Sequence, residues 1–285
     1  MSELVFHPVT KRQFEQYCLT PTHALLILGP LGVGKFTIAS SLAARLLNLS
    51  PDKVLTNGSL LLIEPEGQTI GIDQVRQLAR FMHHKTIGTR DIRRVVIVGN
   101  ADRMTIEAQN AFLKSLEEPP RDTAIILTAS QQHFLLPTIN SRMQVMTVHT
   151  PARTALALIF GDTPAFNRAY ALSGGLPGLT KALLSDNEAH PLYEAVVIAK
   201  DLLRQSTFER LAALDNLTKD KQQLPLILDA LERIAQIGLE QSAQKRQTSV
   251  LKRWQQVVEI LLTTRVAISK NANLKLACTN LCLQI

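Results

Sequence analysis

The sequence predicts an α/β domain, with a parallel β-sheet flanked by helices, followed by an all-helical carboxyl-terminal region. Two apolar runs, residues 95–98 and 124–128, have the composition of strands that are buried on both faces of a parallel sheet. Residues 105–118 lie between them, show helical periodicity and end at two prolines, which cannot continue a helix. This order predicts a strand–helix–strand unit, and ligands of such sheets bind beyond the carboxyl ends of the strands.

The composition indicates a globular protein with a basic excess. The 285 residues are 46% hydrophobic and 19% charged, with a formal net charge of +7. This length favours two or three domains. The positive charge permits nucleic acid as a partner, but a diffuse basic excess is more often ordinary solubility charge. We find no secretory signal and no membrane-spanning segment, so a cytoplasmic protein is expected.

The first strong strand signal, residues 23–28, runs directly into a glycine-rich segment and then a helix. The segment, Gly29-Pro30-Leu31-Gly32-Val33-Gly34-Lys35-Phe36-Thr37, matches the phosphate-binding P-loop pattern Gly-x-x-x-x-Gly-Lys. Backbone N–H groups would bind phosphate oxygens and the lysine would reach the terminal phosphates. The alternative is a glycine-rich turn without a ligand. The candidate nucleotide-binding residues are Gly29, Gly32, Gly34, Lys35 and Thr37.

Two supports for magnesium are missing from this motif. Phe36 occupies the position where a Ser or Thr hydroxyl would hold the metal, and Thr37 is rotated from it by about 100° around the helix. The later strand ends at Gly99 and Asn100, where nucleotide hydrolases place acidic residues. Asp102 is displaced from that position and is expected to start the next helix instead. We therefore expect a site that binds nucleotide without hydrolysing it or stays empty.

A second candidate surface lies on the helix that follows the next apolar run. Arg76 and Arg80 are one turn apart on the same face, close to His83, His84 and Lys85. Such a face is either a solvated basic surface or a set of phosphate contacts, and the sequence favours neither. Arg76 and Arg80 are therefore candidate DNA-binding residues.

Several of these segments together resemble a known family. The P-loop, the strand at 95–98, the run Asn110-Ala111-Phe112-Leu113-Lys114-Ser115-Leu116-Glu117-Glu118-Pro119-Pro120 and Ser141-Arg142 occur in this order in bacterial DNA polymerase III clamp loader subunits, which are AAA+ ATPases. The run is highly specific to that group. The resemblance is strong over residues 1–185 and rests on helical character beyond them. It implies an AAA+ α/β domain at 1–150, a helical lid at 151–186 and a helical oligomerisation collar at 187–285.

Among these subunits the sequence is similar to delta prime rather than to the ATP-hydrolysing gamma/tau subunit. The acidic pair, the P-loop hydroxyl and a lid arginine of the active subunits correspond here to Gly99 with Asn100, Phe36 and Pro177. The alternatives are an active gamma/tau-like ATPase and a stand-alone P-loop module that binds nucleotide as a regulatory ligand.

The family's Ser-Arg-Cys motif reads Ser141-Arg142-Met143, so the arginine is present and the cysteine is not. The resemblance implies that Arg142 acts as an arginine finger on ATP bound to the adjacent subunit. The alternative is a surface or interface salt bridge. The implied partners are the gamma/tau and delta subunits, the sliding clamp and, through the complex, primed DNA. The chain would belong to the polymerase holoenzyme without ATPase or polymerase activity of its own.

No metal or required cofactor is expected. Many relatives carry a four-cysteine zinc module after the P-loop helix, whereas residues 48–59 contain no cysteine here. The three cysteines, Cys18, Cys278 and Cys282, are too few for a four-ligand zinc site or a disulfide framework. Bound ATP or ADP would be retained without hydrolysis.

The remainder of the chain shows helical periodicity. Predicted helices cover residues 153–160, 166–172, 178–184, 192–203, 207–217, 224–242 and 250–269. Trp254 is expected to be a core residue of the last helices rather than a ligand platform.

Overall fold

A computed structural model describes residues 5–83, 91–187, 190–219, 223–270 and 272–285. The chain divides into two compact units, Met1–Ala152 and Arg153–Ile285. The α/β domain was predicted to end at residue 150. The second unit holds both predicted helical domains, and the division between them at 186/187 stays a prediction.

The first unit contains the predicted parallel sheet. Its strands are β1 (Ala24–Leu28), β2 (Leu60–Ile63), β3 (Arg94–Val98), β4 (Thr123–Ala129) and β5 (Gln144–Thr147). They pair in parallel in the order β2-β3-β4-β1-β5, so both predicted strands of the strand–helix–strand unit are neighbours. The fold class is confirmed. The sequence did not predict β5, because this edge strand buries only one of its four side chains and has no continuous apolar run.

Six α-helices are described in this unit. They are α1 (Pro8–Leu19), α2 (Lys35–Leu47), α3 (Pro51–Val54), α4 (Ile72–His83), α5 (Ile106–Glu117) and α6 (Pro137–Asn140). Helix α5 begins where predicted, because the Thr105 hydroxyl accepts the Ala108 N–H at 3.2 Å. Pro119 and Pro120 follow its carboxyl-terminal cap residue, Glu118. Because Phe112 and Leu116 are buried against the sheet, α5 is a rigid platform for its polar side chains.

The second unit is all-helical. Its helices are α7 (Arg153–Phe160), α8 (Pro164–Ser173), α9 (Pro177–Leu184), α10 (Pro191–Arg204), α11 (Thr207–Ala212), α12 (Leu214–Lys219), α13 (Gln223–Gln244), α14 (Thr248–Ser269) and α15 (Leu274–Gln284). The predicted helix at 207–217 is broken at Ala213, and α15 was not predicted as a separate helix. Helix α8 packs against α13, and α9 packs against α10.

Trp254 is half-buried and packs on the backbone of the neighbouring helix. Helix α14 presents the indole ring to Gly238 of α13, where a Cβ atom would lie only 2.5 Å from the ring atom Cδ2. Glycine therefore sets how closely these two helices approach at this position. In the described parts of the chain, no helix has both the length and the apolar character to cross a membrane.

Candidate functional site

The P-loop joins the end of β1 to the start of α2. Gly32 and Gly34 have φ angles of 82° and 96°, in the left-handed region that favours glycine. Gly29 lies so close to the backbone after β5 that a Cβ would be 3.0 Å from the Val148 carbonyl oxygen. Helix α2 begins at Lys35 without a side-chain cap, which leaves its first N–H groups available to an anion.

The Lys35 side chain is buried and hydrogen-bonded within this loop. It is 6% exposed, and its Nζ donates hydrogen bonds to the carbonyl oxygens of Gly29 (2.8 Å) and Pro30 (3.1 Å). Burial lowers the pKa of Lys35 to about 8, and the negative charge of Asp102 partly opposes that effect. A phosphate group in the loop would add a second negative charge and strengthen the protonated form.

Phe36 and Thr37 bring no hydroxyl to the position that follows the lysine. The Phe36 ring is half-buried at the start of α2. Thr37 is exposed, and its carbonyl oxygen accepts the Ser41 hydroxyl at 2.8 Å. The predicted site residue Thr37 therefore lies on the solvent side of α2.

The carboxyl ends of β3 and β4 meet, as the parallel arrangement predicted. The Asn100 N–H donates to the Thr128 hydroxyl at 3.0 Å, and the Gly99 N–H donates to the Ile63 carbonyl of β2 at 2.8 Å. Asn100 has a φ angle of 50°, so the chain turns sharply at this point. Neither Gly99 nor Asn100 carries a carboxylate.

The prediction that Asp102 starts a helix was wrong. Asp102 lies in a single 3-10 turn, Ala101–Arg103, and Thr105 caps α5 instead. The turn directs the Asp102 side chain to the end of β4, where Oδ2 accepts the Ser130 N–H at 3.2 Å. Its other oxygen, Oδ1, is buried and has no hydrogen-bond partner among the described residues. A carboxylate whose charge acts on Lys35 is therefore present, although it is not at the end of β3, where nucleotide hydrolases place acidic residues.

Arg142 lies two residues after the end of α6, and its side chain has two hydrogen-bonding partners among the described residues. Its Nη1 donates to the Thr138 carbonyl at 2.9 Å, and its Nη2 donates to Oε1 of Glu117 at 3.1 Å. The side chains of Arg142 and Glu117 are 37% and 52% exposed. Ser141 ends α6, and its hydroxyl also donates to the Thr138 carbonyl. Arg142 is thus presented at the surface from α6, with its guanidinium beside the end of α5.

Gln109 fixes the loop that leads into α6, and sequence reasoning missed it. Its Nε2 donates to the carbonyls of Met104 (3.2 Å) and Phe134 (3.1 Å), and its Oε1 accepts the Leu136 N–H at 2.8 Å. Gln109 is 1% exposed. A glutamine in an otherwise apolar helical face was the available signal, because such a side chain needs buried partners.

Arg76 and Arg80 both lie on the exposed side of α4. Arg76 forms an ion pair of 2.9 Å with Asp73 one turn earlier, in which both side chains are mostly exposed. Such a pair is worth at most about 1 kcal/mol, so Arg76 can exchange Asp73 for a phosphate at low cost. His84 and Lys85 lie outside the described residues.

A groove of about 460 Å³ separates α4 from α5. Its lining includes Arg76, His83, Lys114 and Glu118 above apolar side chains. It places positive and negative groups side by side, so it is not a uniformly basic surface.

Over the residues that the structure describes, no three His, Cys, Asp or Glu side chains converge in a possible metal site. Cys18, Cys278 and Cys282 are free thiols. Burial raises the pKa of Cys278 to about 11, which keeps this thiol protonated and unreactive at neutral pH. The expected absence of zinc stays a prediction.

Comparison with known proteins identifies a matching family model and several similar curated proteins. The family model described as DNA polymerase III, delta subunit, matches residues 10–152, which is half of the chain. The chain is 35% identical over 207 residues to DNA polymerase III subunit delta' of Pseudomonas aeruginosa, covering 64% of this chain and 62% of that protein. It is 32% identical over 137 residues to DNA polymerase III subunit tau of Bacillus subtilis, covering 43% and 24% respectively.

A solved structure supports the fold. A DNA polymerase III gamma subunit-related protein from Thermotoga maritima superposes with a TM-score of 0.53 at 22% identity, covering 96% of this chain and 97% of that chain. The aligned part spans less than two thirds of the curated relatives' length, 62% and 41% of the delta' subunits of Pseudomonas aeruginosa and Bacillus subtilis. The family match and these relatives lead to one conclusion: the chain belongs to the DNA polymerase III delta subunit family and is similar to its delta prime members.

Proposed function

We propose that this chain is a non-hydrolysing, delta prime-like subunit of the bacterial clamp loader that supplies Arg142 to ATP on an adjacent subunit. One observation carries the proposal. Arg142 is presented at the surface by α6 and held by Glu117 and Thr138, while the chain's own P-loop has Phe36 in place of the magnesium-binding hydroxyl. An arginine displayed in this way is suited to a phosphate that another subunit holds.

The chemistry of Arg142 fits this role. A guanidinium has five N–H groups in a planar fork, of which the bonds to Thr138 and Glu117 use two. The remaining N–H groups are free to bind phosphate oxygens as negative charge develops during transfer. Arginine fingers that act in trans accelerate hydrolysis by about 10³–10⁵. In a complex with several active sites, only the site that Arg142 serves would lose this contribution.

The same geometry supports the absence of hydrolysis at the chain's own P-loop. Lys35 and the free N–H groups of α2 suit ATP or ADP as a bound ligand. A bound metal would lack the hydroxyl ligand, and Asp102 lies in the turn after β3 rather than at the strand end where nucleotide hydrolases place acidic residues. The isolated chain should therefore show no ATP turnover above background, and Phe36→Thr alone should not create it. Turnover in either protein would favour the gamma/tau-like alternative.

The proposed partners follow from this role. The chain would assemble with gamma/tau and delta subunits through its helical second unit, act on the sliding clamp and meet primed DNA within the complex. Arg76 and Arg80 are the proposed phosphate contacts, because both are exposed on one face of α4. A soluble complex in the cytoplasm, within the polymerase holoenzyme, fits all of these partners.

The test is Arg142→Ala in a loader reconstituted from all its subunits. We expect normal assembly, but lower ATP hydrolysis in the presence of DNA and clamp, and slower clamp loading. Arg142→Lys should be nearly as defective, because one ammonium cannot reproduce the planar fork. Arg121→Ala, which removes an exposed arginine close to the end of α5, is the matched control and should be normal. Full clamp-loading activity of an assembled Arg142→Ala complex would refute the proposal.

A further inference from the structure

Glu117 stands out because it contacts Arg142 from a different part of the chain. It is the last residue of α5, 25 positions before the arginine, and its Oε1 accepts the Nη2 hydrogen bond at 3.1 Å. The Thr138 carbonyl binds the other terminal nitrogen of the same guanidinium. The side chain is therefore held from two elements, α6 through Thr138 and the end of α5 through Glu117.

We infer that Glu117 is a positioning residue, which orients the Arg142 guanidinium for the phosphate on the neighbouring subunit. The inference rests on the proposed function of Arg142. Glu117 touches no reacting atom itself, and it acts through the arginine.

Helix α5 is rigid enough to hold the Arg142 side chain in one orientation. Its Phe112 and Leu116 side chains are buried, and two prolines follow the cap residue Glu118, so the backbone of Glu117 is well fixed. Gln109, about 12 Å earlier along the same helix, binds the loop before α6. One helix thus positions the backbone leading to Arg142 through Gln109 and the side chain through Glu117.

The small net stabilisation expected from this exposed ion pair favours a role in positioning Arg142 over a role in stabilising the fold. Both side chains are substantially exposed, and exposed ion pairs add little net stability. The pair is too weak to withhold the guanidinium from a phosphate with several negative charges. That small net value already includes the side-chain entropy lost on pairing, so the contact still restricts the Arg142 side chain. The carboxyl end of α5 adds a favourable site for a cation.

The first measurement uses the isolated full chain. NMR of ¹⁵N-labelled arginine side chains, with Arg142→Lys to assign the signal, reports the order of the Arg142 guanidinium. We expect that Glu117→Ala lowers this order, whereas Glu118→Ala leaves it unchanged. Glu118 is the matched control because it is the adjacent, exposed glutamate and lies outside the hydrogen bonds of Arg142. An unchanged Arg142 signal in Glu117→Ala would overturn the inference.

The second measurement uses the reconstituted loader and separates kcat from KM for ATP. Glu117→Ala should slow single-turnover hydrolysis at the one site that Arg142 serves by about threefold to tenfold, which is less than the about 100-fold that a 1 Å misplacement can cost. The stimulated kcat of the whole loader should fall by less, because the other sites keep their rates. KM should be unchanged, and Glu117→Gln, which keeps a neutral hydrogen-bond acceptor, should restore part of the rate. Glu118→Ala should behave as the wild type.

The double variant Glu117→Ala with Arg142→Ala shows whether Glu117 acts through the arginine. We expect no further loss beyond that of Arg142→Ala alone. A further loss, or a normal kcat for Glu117→Ala beside a defective Arg142→Ala, would overturn this inference and leave the proposed function intact. A normal rate for Arg142→Ala would instead refute the proposed function.

Discussion

Gln109→Leu should loosen the loop that carries the proposed finger. The substitution keeps a buried side chain of similar size and a good helix former, but it removes every hydrogen bond of the amide. Those bonds reach the Met104 and Phe134 carbonyls and the Leu136 N–H, at 2.8–3.2 Å. Since the amide is 1% exposed, water cannot replace them without local opening.

The expected cost follows from these contacts. Each ordinary hydrogen bond contributes about 1 kcal/mol net, so the three bonds together amount to about 3 kcal/mol. The Leu136 N–H would be left unpaired, which costs about 1–3 kcal/mol where water does not reach it. The loop before α6 should therefore open more easily, and most of the loss should be local.

Hydrogen exchange of the Leu136 amide measures this opening. A cost of about 1–3 kcal/mol corresponds to exchange that is about 5- to 150-fold faster. Asn110→Leu is the matched control, because it changes an exposed polar residue of the same helix to the same side chain. Equal protection of the Leu136 amide in wild type and Gln109→Leu would refute this account of the loop.

Three other predictions concern separate parts of the chain. Burial lowers the pKa of Lys35 to about 8 from 10.5, so the unfolded chain holds this proton more tightly between those values and stability rises with pH there. The difference in free energy of unfolding between the wild type and Lys35→Met should therefore rise by about 3 kcal/mol across pH 8–10.5 and stay level below pH 8. A difference that does not change with pH would contradict this. Gly238→Ala should destabilise the second unit by about 1–3 kcal/mol despite alanine's higher helix propensity, because the new Cβ would meet the Trp254 ring. Denaturant unfolding followed by the fluorescence of this single tryptophan measures the loss, and a gain in stability would contradict the prediction. Replacing Arg76 and Arg80 by Ala should lower the slope of log affinity against log salt for loader–DNA binding by about 0.9 for each lost phosphate contact, whereas an unchanged slope would assign both to a solvated basic face.

The sheet could be predicted because its central strands are continuous apolar runs. In β3 and β4 every side chain is buried, so composition alone indicates their environment. Strand β5 gave no such signal, since three of its four side chains are exposed. The break at Ala213 also escaped prediction, because the helical periodicity continues on both sides of it.

The candidate site was predictable only in part. The P-loop could be located because glycine spacing reflects local backbone geometry. Asp102 could not, since its position depends on the left-handed turn at Asn100 and on a hydrogen bond to Ser130, 28 residues away. Gln109 likewise binds Phe134 and Leu136, and Glu117 binds Arg142, about 25 positions along the chain, which no local pattern encodes.

Phosphate release in a single turnover tests the central claim most directly. A loader reconstituted with Arg142→Ala, loaded with ATP and mixed rapidly with clamp and primed DNA, should release one phosphate fewer per complex in its fast phase than the wild-type loader. The other sites should keep their rates, because their fingers are intact. An unchanged amplitude and rate in a fully assembled complex would contradict the assignment of Arg142 to a neighbouring active site.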